Sequence, residues 1–573
     1  MREGAAYFLE PAEPAQRRYE AMRAYFVDGL RASEVAARFG YSPASVHQMA
    51  SELRAGSAQY FRSSKPGPRS ARKADRVRDR VLELRAQDRS VEEIAADLAA
   101  AGTPVSAQTV WTILAAEGIE RLPRRAGAER GAPPRLAPIK AQALSDWPAA
   151  TAVGCDHAGL FLLAPAIAEL GLAELAGSCG YPSTTVLSAW HSLGTLLLHK
   201  CARTPRASHA FALADDPGLA LLMGLTALPK ATHLTSYSYR ARRASSEKLL
   251  AGVTGRLREL GLATGADGFN LDFHAIRHHG TDVPLEKHYV PQRSQRTRAV
   301  LTFFAQDHAS QEMVYSNAEL TKAEQAREVI AFADYWQKVS GSDPGLLVFD
   351  SKLTTYKILN ELTARGIRWL TLRERGPKLI RDLEALPDSE WKKVRVERRG
   401  RYREPEIHDE LLPIKGIDTP VRQLAVRNIG REHPTMLITN ALDSTTKQLF
   451  ARYAERMTIE NELDAYISGF HLNALSSGLP LNVDIDAALT VIAGNLYRLL
   501  ARRLQRYERA TPDKLWRHFL DATGTIHITN DALTVDLNVR TYHPVLIAAG
   551  FADTPTLIPW LNGRELRFRF PPR

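Results

Sequence analysis

Apolar positions recur at helical spacing in two short clusters near the start of the chain. In the first, a helix-like stretch from Tyr19 to Gly29 precedes SEVAARF, Ser33 to Phe39, which Gly40 ends. Ser42 then offers an N-cap, with Pro43 at the first helical position of PASVHQMASELR. Helix, tight glycine turn and capped helix predict a helix-turn-helix layout. The pattern repeats: Asp75 to Ala86 reads as a helix, Ser90 and Glu93 stand at capping-box spacing, and Ser106 caps SAQTVWTILAAEG. From Thr151 to about Leu262 long apolar helical stretches predict a bundle. His157, His191 and His199 are scattered among those apolar residues and read as satisfied core or surface histidines.

At Ala266 the period changes from about four to two. GFNLDFHAIRHHG, RAVLTFFAQD and QEMVYSNAEL predict three antiparallel strands, followed by a helix from Lys322 to Val339. A buried strand, Leu346 to Phe349, ends in Asp350. It leads into a helix, Thr355 to Ala364, and another strand, RWLTLR. Strand-like segments recur between Gly376 and Thr439. A helical stretch then carries Tyr453, Arg456 and Glu460 on one stripe, and a long apolar helix, AALTVIAGNLYRLLARRL, is expected to pack behind the sheet. The last sixty or so residues alternate like a small β-unit.

Charge sharpens this outline. The 573 residues carry a net charge of +11. Residues 1–140 hold 23 lysines and arginines against 17 acids, an excess of six, so the basicity is concentrated with the helix-turn-helix patterns. Such a charge suits a polyanionic partner, because cations on a nucleic acid release condensed counterions. Ser45, His47 and Gln48 in the first unit, and Gln108, Thr109 and Trp111 in the second, are the side chains expected to face a groove. Arg124 and Arg125, at the end of the second unit, are also expected to bind DNA. Cys155, Cys179 and Cys201 show no C-x-x-C spacing, which argues against a disulfide framework or a zinc site. With no apolar signal core and no apolar run of about 18 residues, a cytoplasmic, nucleoid-associated setting is expected.

An aspartate on the first strand of a meander, a second after a later parallel strand, and a glutamate on a following helix is how ribonuclease-H-like folds present metal ligands. The order Asp272, Asp350, then Tyr453-x2-Arg456-x3-Glu460 resembles the bacterial insertion-sequence DDE transposases of the IS-four-like group. The β-rich interval from Gly376 to Thr439 and the lead-in LITNALDSTTKQLFARYAERMTIE resemble that group too, over roughly Asp267 to Leu500. The resemblance implies a transposase that binds the terminal inverted repeats of a mobile element and cuts and joins strands. Its catalytic and metal-ligating residues would be Asp272, Asp350 and Glu460, holding two Mg²⁺ ions, for which Mn²⁺ can substitute. Tyr453, Arg456, Lys352 and Arg373 would support the site or contact phosphate. The partner would be double-stranded DNA, both element ends and target, and the protein would act as a homodimer or larger assembly.

The chain departs from the group's pattern at three places. Met457 stands where tryptophan is usual, Ile467 where a lysine or arginine follows the glutamate, and Lys352 where a glycine is common. These departures keep two other readings open: a DNA-binding protein with a decayed catalytic domain, and a nuclease that cleaves without joining. The histidines after Asp272 alternate faces along a strand, so they cannot all converge on one ion.

The predicted fold class is thus multidomain α/β, with N-terminal all-α helix-turn-helix units and a ribonuclease-H-like mixed-sheet catalytic domain bearing a β-rich insertion. The expected boundaries are a first unit over 1–60, a basic linker over 61–74, a second unit over 75–125 and a Pro/Arg-rich linker over 126–150. A helical bundle over 151–265 precedes the catalytic core over 266–375 and 441–510, interrupted by the insertion over 376–440. The small C-terminal β-unit covers 511–573.

Overall fold

The computed structural model describes residues 8, 11, 13–55, 72–87, 89–119, 140–144, 151–278, 285–290, 295–351, 355–396, 404–430, 432–474 and 480–571. The chain divides into two compact units, residues 1–136 and 137–573. It is a mixed α/β protein.

The N-terminal unit holds two three-helix clusters, each with its own apolar core. In the first, α1 (Pro14–Phe26), α2 (Ala32–Phe39) and α3 (Pro43–Arg54) close over Met22, Val35, Phe39 and Val46. Gly40 ends α2 at φ +71°, a left-handed turn that glycine enters without steric cost, and the Ser42 hydroxyl accepts the Ser45 amide at 3.1 Å. In the second, α4 (Arg72–Ala86), α5 (Val91–Ala100) and α6 (Ala107–Ala116) close over Val81, Ile94, Leu98 and Val110. Ser90 and Glu93 form the expected capping box, and Ser106 accepts the Thr109 amide at 3.2 Å.

The second unit opens on a strand, β1 (Thr151–Cys155), where an all-helical segment was expected. Five residues of TAVGC are too short to show a period. β1 pairs antiparallel with β12 (Gly524–Ile528) and so completes the C-terminal sheet with β13 (Ala532–Leu537), β14 (Thr556–Ile558) and β15 (Arg564–Arg569). The expected C-terminal β-unit is therefore not self-contained. Helices follow β1, among them α7 (Ala189–Cys201) and α8 (Arg243–Glu259).

The main sheet runs β3-β4-β2-β6-β7-β11-β10-β9-β8, with β5 (Met313–Leu320) on β4. Its first half comprises β2 (Phe269–Arg277), β3 (Lys287–Val290), β4 (Gln295–Asp307), β6 (Leu346–Val348) and β7 (Arg368–Leu372). β2 is antiparallel to β4 and parallel to β6, and β6 is parallel to β7. The helix before β6, α9, is shorter than expected, Glu328–Ser340, and α10 (Tyr356–Ala364) links β6 to β7.

The interval from 376 to 440 is not a separate block. After a short helix, Pro377–Glu384, its strands β8 (Lys392–Lys393), β9 (Glu406–Leu412), β10 (Val421–Arg427) and β11 (Thr435–Thr439) continue the main sheet, because β11 pairs antiparallel with β7. The second half of KKVRVERRG lies outside the described residues. β9, EIHDELL, went unforeseen because charges interrupt its alternation.

α11 (Thr446–Glu455) and α12 (Met457–Phe470) are separated at Arg456, so the expected single stripe straddles a helix junction. Arg456 itself keeps helical angles, φ −54° and ψ −27°, and its guanidinium still lies 5.7 Å from the Tyr453 ring centre. α13 (Pro480–Arg503) packs along β5 with α8. There Asp484 receives Arg243 at 2.7 Å and the Ala318 amide at 3.1 Å, while Arg243 donates to the Ser316 carbonyl, so this strand edge is covered. Among the described residues no single helix is long and apolar enough to cross a membrane.

Candidate functional site

β2 has two unlike faces, as the strand period requires. Phe269 and Phe273 point into an aromatic core with Phe303, Phe332 and Trp336. Asn270, Asp272 and His274 point the other way and make three polar contacts with α12, the junction before it and the loop after it. The Asn270 amide donates to Thr458 Oγ1 at 3.0 Å, Asp272 lies 3.8 Å from Arg456 Nη1, and His274 Nε2 lies 2.6 Å from Asn473 Oδ1.

Asp350 follows β6. Asn270 pairs with Val348 in the parallel register, where β6 ends, and the Asp350 charge just beyond it acts on Asp272. Glu460 lies in the first turn of α12, where the helix N-terminus favours a carboxylate, and it accepts a hydrogen bond from Arg456. Arg456 therefore stands among all three acids. Its side chain is 10 % exposed, and its Nε and Nη1 are buried without a hydrogen-bond partner.

The electrostatics follow from this crowding. Burial pushes the Asp272 carboxyl up to about 7; Arg456 opposes that, while Glu460 and Asp350 add to it. Burial disfavours the Arg456 cation, but Asp272, Tyr453, Glu460 and Asp350 outweigh it and hold the guanidinium charged. The Tyr453 phenol is pushed up to about 12, chiefly by burial, and stays protonated. Three carboxyl groups thus share one buried cation.

That donor set suits a hard divalent ion, because carboxylate oxygens are its preferred ligands and a local excess of negative charge attracts it. Among the described residues no three His, Cys, Asp or Glu side chains are gathered closely enough to hold one ion. In this arrangement Arg456 stands between the acids.

The site has a polar support that sequence reasoning missed. Asn270 is fully buried; besides Thr458 it donates to Gln306 at 3.2 Å and accepts from Arg452 at 2.6 Å, and Thr458 donates to Gln306 at 3.0 Å. Burial brings the Arg452 guanidinium down to about 10. A polar residue two positions before Asp272, on the same face, was the only available signal.

The remaining expected residues divide. Arg373 donates to Gln423 at 2.5 Å, and Gln423 donates to Glu410, which ties this arginine to the outer strands. Lys352, Arg124 and Arg125 lie outside the described residues. Ile467 packs half-buried against the apolar core, Met457 is exposed, and Asp464 is exposed with its charge acting on His274. A cleft beside Asp350 is lined by Ser351, Thr355, Tyr356, Thr371 and Glu374.

In the N-terminal unit His47, Gln48, Gln108 and Trp111 are exposed. His47 sets its ring edge against Tyr25, and Gln48 donates to Glu52 at 3.0 Å. Ser45 and Thr109 are engaged differently from the expectation. Their hydroxyls bond to those of the cap residues Ser42 and Ser106, at 2.8 and 2.9 Å, and so help to close the first helical turn.

No protein-family model matches this chain, and no curated protein matches it.

Proposed function

We propose that this chain is a DNA transposase of the insertion-sequence DDE type, with a ribonuclease-H-like catalytic domain. Its three-helix units would bind the terminal inverted repeats of a mobile element, and its carboxylate site would cleave and transfer strands. The observation that carries the reading is the convergence of Asp272, Asp350 and Glu460 on Arg456 from a first strand, its parallel neighbour and a later helix. The strand order β5-β4-β2-β6-β7, antiparallel then parallel, supports the same reading.

Asp272, Asp350 and Glu460 would hold the two Mg²⁺ ions, which when bound activate the attacking oxygen and stabilise the leaving one. The chain's own residues supply the rest. Arg456 brings a guanidinium held charged by the surrounding acids, the group that would meet a phosphate oxygen. The protonated Tyr453 phenol is available to donate nearby. Asn270 and Thr458 fix α12 against β2, which sets the height of Glu460 above the strand ends. In the N-terminal unit, Gln48, Gln108 and Trp111 reach outward from the N-terminal halves of α3 and α6, the part of a recognition helix that meets base edges. Two element ends must be held together, so the active form would be a dimer or a larger assembly.

The test is cleavage of a DNA fragment carrying the gene's flanking ends, with Mg²⁺ or Mn²⁺. The native chain should cut at the ends, and Asp272→Ala, Asp350→Ala and Glu460→Ala should each abolish cutting while binding persists. Cutting without any strand-transfer product would favour a nuclease. A second reading rests on Arg456 standing among the acids and on Ile467 set in the core: a DNA-binding protein whose catalytic domain has decayed. It predicts binding with no metal-dependent product.

A further inference from the structure

A second candidate surface lies between α13 and β12, far along the chain from the carboxylates. Here Tyr507 Oη bonds His518 Nδ1 at 2.8 Å, and the His518 and Tyr542 rings stack 3.9 Å apart at 7°. Lys514 Nζ sits 4.7 Å from the centre of the Tyr507 ring. The Arg540 guanidinium donates to the carbonyl of Arg517 at 3.4 Å. Burial lowers the His518 pKa, and the charges of Lys514, Arg517 and Arg540 lower it further. Arg506 and Arg509 flank Tyr507 in the chain and are exposed.

What distinguishes these cations is their lack of carboxylate partners. Arg498, Arg502 and Arg503, at the end of α13, are paired with Glu462, Glu312 and Glu169. Among the described residues, by contrast, none of the side chains of Arg506, Arg509, Lys514, Arg517 and Arg540 is ion-paired to a carboxylate. The acids nearby are few: Asp513 is taken by Arg203, Glu508 accepts the Arg506 amide, and Asp521 is exposed. A fold that pairs its neighbouring arginines and leaves exposed Arg506, Arg509 and Arg517, with half-buried Lys514 and Arg540, around the half-buried His518–Tyr542 stack presents positive charge unmatched by carboxylates beside flat rings.

We infer that this surface binds DNA, its cations on successive phosphates and its aromatic stack against the sugar-base edge. Cations interleaved with aromatics suit a nucleic acid better than an acidic peptide, which offers carboxylates but no flat faces. The inference does not rest on the carboxylate site, and it adds a DNA contact outside the N-terminal unit.

The test is the salt dependence of binding by the full chain to a labelled random-sequence duplex, in EDTA so that no cutting intervenes. Each phosphate contact contributes about 0.9 to the slope of log K against log salt. The Arg509→Gln/Lys514→Gln/Arg517→Gln variant should lose about two to three units of slope, and exposed Arg509→Gln alone about one. The Arg327→Gln/Lys338→Gln control, at cations paired elsewhere on the surface, should lose none. In parallel, a photoreactive duplex should crosslink to peptides containing His518 or Tyr542. An unchanged slope in the triple variant, with its thermal melt intact, overturns the inference, as do crosslinks confined to residues 1–136. If the triple variant melts early, the single Arg509→Gln slope decides.

Discussion

Arg456→Ala tests the electrostatic account of the carboxylate site most directly. Nη1 of Arg456 lies 3.8 Å from Asp272 Oδ2, and unit charges at that distance attract by about 4 kcal/mol at an effective dielectric constant of about 20. The contact with Glu460, whose side chain is 34 % exposed, adds less than about 1 kcal/mol after solvent screening. Against these stand the desolvation of the guanidinium and the freedom of Asp272 to take up a proton once the cation is gone. The net loss should be about 3 kcal/mol at pH 8.5 and smaller at pH 6. The sign follows from the direction of the shift. Asp272 is already raised above its unfolded value near 4, so the stability it contributes is full below that value and is lost as pH rises through the folded value, about 7. Removing Arg456 raises the folded value further and deepens the loss at alkaline pH. Urea unfolding followed by the emission of Trp369, buried in β7, at both pH values without metal measures this. On the proposed metal-holding role of these acids, adding Mg²⁺ should narrow the deficit, because the ion would replace the missing cation. A deficit below about 1 kcal/mol, or one larger at pH 6, would refute the reasoning.

Three further outcomes follow from the same structure. Gly268, at φ +78° where β2 begins, has no room for a side chain, since a Cβ would overlap the Leu346 carbonyl at the start of β6; Gly268→Ala should cost about 3 kcal/mol and lower the calorimetric Tm by several degrees. Ser106→Ala removes the cap of α6 and should cost about 1 kcal/mol, seen as faster amide exchange over residues 107–116 with α1–α3 unchanged. The Asp216 carboxylate, hydrogen-bonded to the ring of His157 at 3.3 Å, raises that histidine's pKa. The stability it contributes is full below about 6.5 and is lost as pH rises through the raised folded value. Asp216→Asn should therefore flatten the fall in Tm above neutral pH, and an unchanged pH profile would dismiss the pair.

The parts of the molecule legible in its sequence are those encoded locally. Ser42, Ser90 with Glu93, and Ser106 cap the helices they precede because capping is decided within four residues. Asp272 within an alternating run and Asp350 after an apolar one could be located because the strand period shows which residues share a face. The junction at Arg456 was not legible, since no proline or glycine marks it and its angles remain helical. Nor was the pairing of β1 with β12, which joins residues 151–155 to residues 524–528 through backbone bonds that any short strand can make.

The buried polar cluster around Asn270 shows most clearly why the site itself was only half legible. Its partners, Gln306, Arg452 and Thr458, come from β4, α11 and α12, and nothing near Asn270 in the chain announces them. A buried amide left without partners costs about 1–3 kcal/mol, so this cluster is stable only in the one docking of α11 and α12 on β2 that satisfies every member. That same docking carries Arg456 to Asp272 and Glu460 to the strand ends. The carboxylates could be named from their spacing, but their convergence depends on Asn270, a neutral residue that no search for catalytic or metal-binding side chains would select.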